Sequence, residues 1–453
     1  MKNSFTEGKI DGPLVRFAFP VLAALFLQSL YGAVDLLVVG RFTDATQVSA
    51  VSTGSQIMMS ITNLIAALSM GTTVMLGHQI GQKRREDAGY TIGASIVLFG
   101  MIGIILSGVM IFASPALSSI MQAPAEAYDA TVAYVRICGG GMAVIVAYNL
   151  IGGIFRGIGD STTPLIAVAI AAVGNMIGDL LLVAGLHMGA SGAAIATVGS
   201  QLLSVVLSFV MISKKEHPFT FRRNMIRRDG RIMAQVVKIG LPIALQDLLV
   251  SISFMVIMAI VNSLGVVASA GVGVAGKVTG FIMLVPSAFS QSLAAFVSQN
   301  HGAQKMERAD KGLAYGIMTS LAIGVFMAYF SFFHGDLLAG IFTRETEVIS
   351  ASWDYMKAYA IDCMLTPIFF CFIGYYNGIR KTRFVMMQGI LSAFLVRVPF
   401  SWFMSRQVPV SLFHIGLATP AASSLQIIMC LAYFRYLKTH ASEEHHMTAG
   451  RDL

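Results

Sequence analysis

Residues 14–40, LVRFAFPVLAALFLQSLYGAVDLLVVG, decide what kind of protein this is. The stretch exceeds the roughly 20 apolar residues that carry a helix across a hydrocarbon core, and it lacks the strict alternation of a barrel strand of about 10 residues. It is also too long for a signal-peptide h-region of about 7–15 residues, so it is expected to stay as the first transmembrane helix. Composition agrees. Hydrophobic residues make up 56% of the chain and charged residues 12%, with a mean hydropathy of +0.73, whereas soluble domains carry about 25% charged residues. Similar apolar runs recur as far as 413–436 and predict about twelve membrane-spanning helices.

The same stretch opens an internal repeat. RFAFPVL around Pro20 corresponds to KIGLPIA around Pro242, and QIGQK from Gln79 to QNHGAQK from Gln299. Further on, YVR at Tyr134 pairs with YMK at Tyr355, and FRGIGDS at Phe155 with YNGIRKT at Tyr376. Fused copies of a membrane bundle are a common plan for alternating-access transporters. One long polar linker, Lys214 to Lys238, separates the sixth span from the seventh. The expected organisation is an amino-terminal lobe at 1–213, a basic cytoplasmic linker at 214–233, a carboxyl-terminal lobe at 234–440 and a polar tail at 441–453. The fold class is therefore an all-α integral membrane protein, with two pseudo-symmetric lobes of six helices each.

Most of the 31 Lys and Arg residues fall in the termini, the central linker and the turns at Lys83–Arg85, Arg156, Lys305–Lys311 and Arg380–Arg383. By the positive-inside rule both termini face the cytoplasm, which places the protein in the plasma (inner) membrane as a multi-pass protein. The net charge of +8 suits contact with anionic lipid. No folded basic domain surrounds the linker, so nucleic acid is not an expected partner.

Several signatures dissolve on this map. GVGVAGKV, residues 271–278, contains GxGxxG and a GK dipeptide, but Val278 stands where a phosphate loop needs Ser or Thr and no strand precedes it. Its glycines suit close helix packing in lipid. Cys138, Cys363, Cys371 and Cys430 sit in apolar spans without CxxC spacing, and His440, His445 and His446 lie in the polar tail. Neither set predicts a metal centre. No HExxH or GxSxG motif appears, so an enzyme is not expected and no cofactor is implied beyond a coupling ion.

The remaining candidates are ionisable residues within spans, where a carboxylate costs several kcal/mol unless paired, hydrated or protonated. Asp35 shares a helix face with Tyr31 and Gln28. Asp179 follows Asn175 by one turn in the fifth span, and Thr197 in the sixth offers another oxygen if the two spans pair antiparallel. Carboxylate, amide and hydroxyl oxygens form either a Na⁺ site or a proton site. Pro20 lies in the same helix as Asp35 and is the hinge candidate, because proline removes a backbone donor and crowds the preceding turn.

Taken together, LYGAVDLLVVGRF, GQKRREDAG, GGIFRGIGDSTTP, the NxxxD of Asn175–Asp179, GLPIAL and QNHGAQKMERA resemble the multidrug and toxic compound extrusion (MATE) transporters, in the bacterial DinF-like branch. The resemblance implies a V-shaped arrangement of the two lobes in a monomer. It also implies efflux of small drugs and toxic organic cations in antiport with Na⁺ or H⁺. The family's cation site falls on Asp35, Asn175, Asp179 and Thr197, and its cavity on Gln28, Tyr31 and Asn149. Gly152 stands where some relatives carry another amide. In the second lobe Val250 and Thr366 occupy the positions of the acids found in NorM-like members. Asp247 and Asp362 are expected to form buried ion pairs with Lys277 or Arg397, and Arg397 falls at the repeat position of Asn175. Two other functions fit a twelve-span bundle: a flippase for lipid-linked oligosaccharides or precursors, and a channel or non-transporting scaffold.

Overall fold

The computed structural model describes residues 5–214 and 217–449. Its helices are α1 (Asp11–Phe42), α2 (Ala45–Gly81), α3 (Arg85–Ile120), α4 (Tyr128–Gly140), α5 (Met142–Ile158), α6 (Thr162–Asp179), α7 (Gly189–Ser213), α8 (Gly230–Asn262) and α9 (Val266–Ile282). There follow α10 (Leu284–Gly302), α11 (Met306–Phe333), the short α12 (Gly335–Gly340), α13 (Thr346–Gly378), α14 (Thr382–Leu391), α15 (Val398–Ser405), α16 (Leu412–Gly416) and α17 (Ala418–Ala449). Among the described residues, 11 helical stretches are long and apolar enough to cross a membrane. A twelfth results when α4 and α5, bent by 55° at their junction, count as one span. The predicted fourth span, 127–155, is that bent pair. The expected polar tail from 441 continues α17 in backbone as far as Ala449, and its last four residues lie outside the described residues.

The bend between α4 and α5 has a cause in the run Gly139–Gly140–Gly141. A Cβ on Gly139 would sit 2.7 Å from the Cβ of Met110 in α3, and one on Gly141 would sit 2.4 Å from Val198 in α7. The corner is bare backbone, against which two neighbouring helices close; glycine pairs are a recognised source of helix kinks. Elsewhere in the span, Tyr134, Val135 and Cys138 are buried.

Packing divides the chain into two compact units. One comprises the chain up to Asp247 together with Gln291–Tyr315 and Gly374–Thr382; the other comprises Leu248–Ser290, Gly316–Ile373 and the chain from Arg383. These units cut across the sequence halves.

In the first unit the repeat is visible down to individual hydrogen bonds. The helix ends α2 and α10, which carry QIGQK and QNHGAQK, close with the same cap. Lys83 N–H donates to the Ile80 carbonyl and Arg84 N–H to that of Gln79; Gln304 and Lys305 do the same to His301 and Asn300. The FRGIGDS and YNGIRKT pair repeats the motif: Gly159 and Asp160 donate to Arg156 and Phe155, and Arg380 and Lys381 to Asn377 and Tyr376. All four are Schellman caps, which need a residue in the left-handed region. Glycine fills that position once, at Gly159; Lys83, Gln304 and Arg380 adopt it at φ of 60°, 58° and 63°.

Helices α2 and α10 cross with backbone almost on backbone. A Cβ on Gly81 would lie 2.0 Å from the Gln299 carbonyl oxygen, and one on Gly302 would lie 2.0 Å from that of His78. In lipid the apolar effect gives helices no reason to associate, so such small-residue contacts carry the packing. Earlier along α2, Gly71 and Gly240 similarly admit α8, with Cβ positions 2.2 Å and 2.3 Å from the carbonyl oxygens of Val236 and Leu68.

The amino-terminal segment is fastened to the same region. Phe5 packs edge-on against Phe17 and Phe296. Arg308 in α11 donates hydrogen bonds to the carbonyls of Phe5, Glu7, Gly8 and Lys9. Asn300 adds a bond to Phe5 and Lys305 one to Thr6. The second unit has its own core, in which Ile257 and Val261 of α8, Val272 and Val278 of α9, and Tyr355, Met356 and Tyr359 of α13 are buried together.

Candidate functional site

Three helices of the first unit deliver the four residues expected to bind a cation. α1 packs on α6, and α6 on α7. Asp35 on α1 is 4% exposed, and Asn175 and Asp179, one turn apart on α6, are both 0% exposed. The Thr197 hydroxyl on α7 donates to Asp35 Oδ2 at 3.1 Å and also lies 2.9 Å from the Ala193 carbonyl. Asp35 has Asp179, Asn175 and Thr197 as its side-chain neighbours. The structure thus brings together residues up to 162 positions apart in sequence.

What distinguishes the cluster is what it lacks. Asp35 Oδ1, both oxygens of Asp179, and both Oδ1 and Nδ2 of Asn175 are buried without a hydrogen-bond partner. A buried polar group left unpaired costs about 1–3 kcal/mol, and a charged one more. Two facing carboxyls cannot both ionise at low cost unless a proton or a cation lies between them. Four of these five atoms are hard oxygens, which fit Na⁺ or a proton. Among the described residues no group of three or more His, Cys, Asp or Glu could hold a metal ion.

Two features of this site escaped sequence analysis. Tyr134 on α4, 3% exposed, neighbours both Thr197 and Asp35. Gly54 on α2 makes room for its ring, since a Cβ there would fall 2.4 Å from Tyr134 Cδ1. The repeat had marked Tyr134 against Tyr355 without indicating a role. The other feature is a π-helical segment, Leu180–Gly185, that begins directly after Asp179. π-Turns occur often at functional sites, and no side-chain pattern announces them.

The expected cavity residues are less uniform. Gln28 is partly buried and donates through Nε2 to the hydroxyl of Tyr148, a residue not foreseen. Asn149 bends back to donate to its own helix at Ile145, 2.8 Å away, leaving its oxygen as the group it can offer. The side chain of Tyr31 lies outside the described residues. α1 continues unbroken through Pro20.

The second unit carries a different polar cluster. Arg397, 3% exposed, ends a second π-helical segment, Ser392–Arg397. Two residues expected in buried ion pairs, Asp362 and Arg397, have other side chains as their hydrogen-bond partners. Asp362 accepts hydrogen bonds from Thr366 and Ser423. Arg397 donates to Ser253 at 3.2 Å and stacks 4.4 Å from the ring centroid of Phe254. Among the described residues no direct ion pair joins the two. Hydroxyls satisfy the acid and an aromatic face takes the guanidinium, which lowers the cost of burying each charge. Lys277 is exposed and lies 5.8 Å from the ring centroid of Phe342.

Comparison with known proteins accounts for the repeat and the bundle together. The MatE family model matches twice, over residues 20–181 and 242–403, and the two matches begin on the paired prolines. A Bacillus subtilis (strain 168) protein named "Probable multidrug resistance protein YpnP" is 26% identical over 95% of this chain and 96% of its own. The "Multidrug export protein MepA" of Staphylococcus saprophyticus is 21% identical over 86% of this chain and 87% of its own. A solved structure described as the outward-facing conformation of a multidrug resistance MATE family transporter superposes with a TM-score of 0.90. It is 20% identical and covers 98% of this chain and 99% of its own. A membrane bundle of 11 to 12 spans, a repeat matched in both copies and relatives aligned along nearly the whole length lead to one conclusion: this chain belongs to the MatE family, the multidrug and toxic compound extrusion transporters.

Proposed function

We propose that this multidrug efflux transporter works as an antiporter, exporting small organic compounds in exchange for H⁺ or Na⁺. The coupling ion is held by Asp35, Asp179, Asn175 and Thr197. The observation that carries this is the set of five buried, unpartnered polar atoms on the first three of these residues. An ion arriving there satisfies the four oxygens among them and changes the charge of the cluster. It thereby favours whichever arrangement of α1, α6 and α7 closes around it, and only such unequal affinity for two states lets an ion drive alternating access.

The abundance of Lys and Arg in the linker and in the turns after α2, α10 and α13 supports placing both termini in the cytoplasm of a plasma (inner) membrane protein. The acidic character of the cluster supports organic cations among the substrates, since substrate and coupling ion then compete for one sign of charge. The test is efflux of a fluorescent cation, ethidium, from proteoliposomes with an imposed pH or Na⁺ gradient. Uphill movement under at least one gradient is expected. Equilibration without accumulation under both would mean a channel and would end this reading.

A further inference from the structure

The segment that leads into α8 is fastened along its length to the start of α3. The Thr220 N–H donates to the Arg85 carbonyl. Gly89 and Gly93, one turn apart on α3, leave bare backbone for it. A Cβ on Gly89 would lie 2.0 Å from the Thr220 carbonyl oxygen, and one on Gly93 would lie 2.0 Å from that of Met225. Met225 is buried, and the Arg227 guanidinium stacks 4.6 Å from the ring centroid of Tyr90. Residues 217–229 are thus a strap laid on the first unit.

This strap concentrates positive charge. Arg222, Arg223, Arg227, Arg228 and Arg231 follow one another closely in sequence and are all exposed. Among the described residues none of the five forms an ion pair. The acid in the same run, Asp229, accepts from the Arg231 and Ile232 N–H groups at the start of α8. Phe221 and Ile226 are exposed as well, at 40% and 42%. A connector between two spans needs length alone; fixing one costs backbone entropy, and crowding like charges on it adds repulsion. Both costs are offset when a surface of opposite charge lies against the strap.

Its depth says which surface that is. α3 has 36 residues, a length of about 54 Å, against a hydrocarbon core of about 30 Å. Centred on the core, it leaves about 12 Å at each end for the interfacial layers. The strap touches α3 from Arg85 to Gly93, which is about 12 Å along the helix axis, and so fills the layer where lipid headgroups stand.

We propose that residues 217–231 form a docking surface for anionic phospholipid, in which the arginines take lipid phosphates and Phe221 and Ile226 rest on the acyl boundary. Guanidinium forks match phosphate geometry, and clusters of four to eight basic residues beside a membrane helix recognise acidic headgroups. The pairing of basic and apolar side chains suits a lipid, which offers both a phosphate and a chain. This partner lies outside the efflux cycle, and the proposal holds or fails independently of the antiport reading.

Fluorescently labelled phosphatidylglycerol and phosphatidylcholine, titrated onto the purified full-length protein in detergent and followed by polarisation, provide the test. The wild type is expected to prefer phosphatidylglycerol by about tenfold or more, since each basic residue near such a headgroup is worth about fivefold. Arg222→Gln with Arg223→Gln should weaken phosphatidylglycerol about twentyfold and leave phosphatidylcholine unchanged. Arg435→Gln with Arg383→Gln removes the same charge elsewhere and should change neither. Gly93→Ala keeps every charge but pushes the Met225 carbonyl off α3, and should cost about fivefold or more; it separates placement from net charge. Melting temperatures of all variants report folding.

Equal affinity of the wild type for the two lipids overturns the proposal. So does an equal loss in the two arginine pairs, which would reduce the effect to overall charge. If inorganic phosphate at millimolar concentration displaces the labelled lipid, the arginines bind a soluble anion and the lipid assignment falls. Should Gly93→Ala fail to fold, the two arginine pairs decide the matter.

Discussion

Asp179→Asn is expected to reduce gradient-driven efflux to the level of protein-free leak while the protein remains folded and able to bind substrate. The asparagine has nearly the same shape and still offers an oxygen, but it cannot exchange a proton or provide a charge for Na⁺. To swing a two-state transporter from about 1:99 to 99:1, the ion must bind one state about 10⁴-fold better than the other. Removing one of two facing carboxyls removes most of that difference, so uphill efflux should fall by about two orders of magnitude or more. Asp35→Asn should act similarly, with the further loss of the acceptor for Thr197.

Stability should move the opposite way from activity. Both oxygens of Asp179 are buried and unpaired, and replacing an unsatisfied buried charge by a neutral amide is neutral or stabilising, by about 1 kcal/mol. A melting temperature that stays level or rises while coupling disappears therefore separates an ion site from a structural acid. Equal loss of stability and activity would assign Asp179 to packing.

The second large effect concerns the crossing of α2 and α10. Gly302→Val is expected to destabilise the protein by about 3 kcal/mol or more, because overpacking that no rotamer change can relieve lies at the upper end of such costs. Its Cβ would meet the carbonyl oxygen of His78 at 2.0 Å, and that oxygen is backbone. Gly81→Val should match it from the other side of the pseudo-symmetric contact. Gly100→Ala and Gly108→Ala in α3 are the controls, since nothing lies within 4 Å of their Cβ positions. There alanine should be neutral or should stabilise the helix by about 0.5–1 kcal/mol. Thermal melting in detergent reads all four, and a stable Gly302→Val would mean that the helices cross further apart.

The fold was legible because lipid leaves few options. Runs near 20 apolar residues must be helices, and Pro20 and Pro242 mark the same place in two copies, as the family matches that begin on them bear out. The candidate cation cluster was legible for a related reason: a carboxylate in such a run is costly enough that Asp35 and Asp179 stood out singly. Their assembly was not, because only the packing of α1, α6 and α7 brings them together. The π-helical segments beside Asp179 and Arg397 depend on hydrogen-bond register, which residue types do not encode. Lys277 lies in an apolar span, but on an exposed face, a placement that only packing decides.

The central claim is that substrate exchanges for an ion held at the Asp35 and Asp179 cluster, and counterflow measures it most directly. Ethidium is added to proteoliposomes containing a trapped pH dye or ²²Na⁺, and ion movement is recorded against dye movement. The account predicts a substrate-evoked ion flux of fixed stoichiometry in the wild type and none in the Asp35→Asn, Asp179→Asn double variant. Counterflow with the same stoichiometry in the double variant would contradict it.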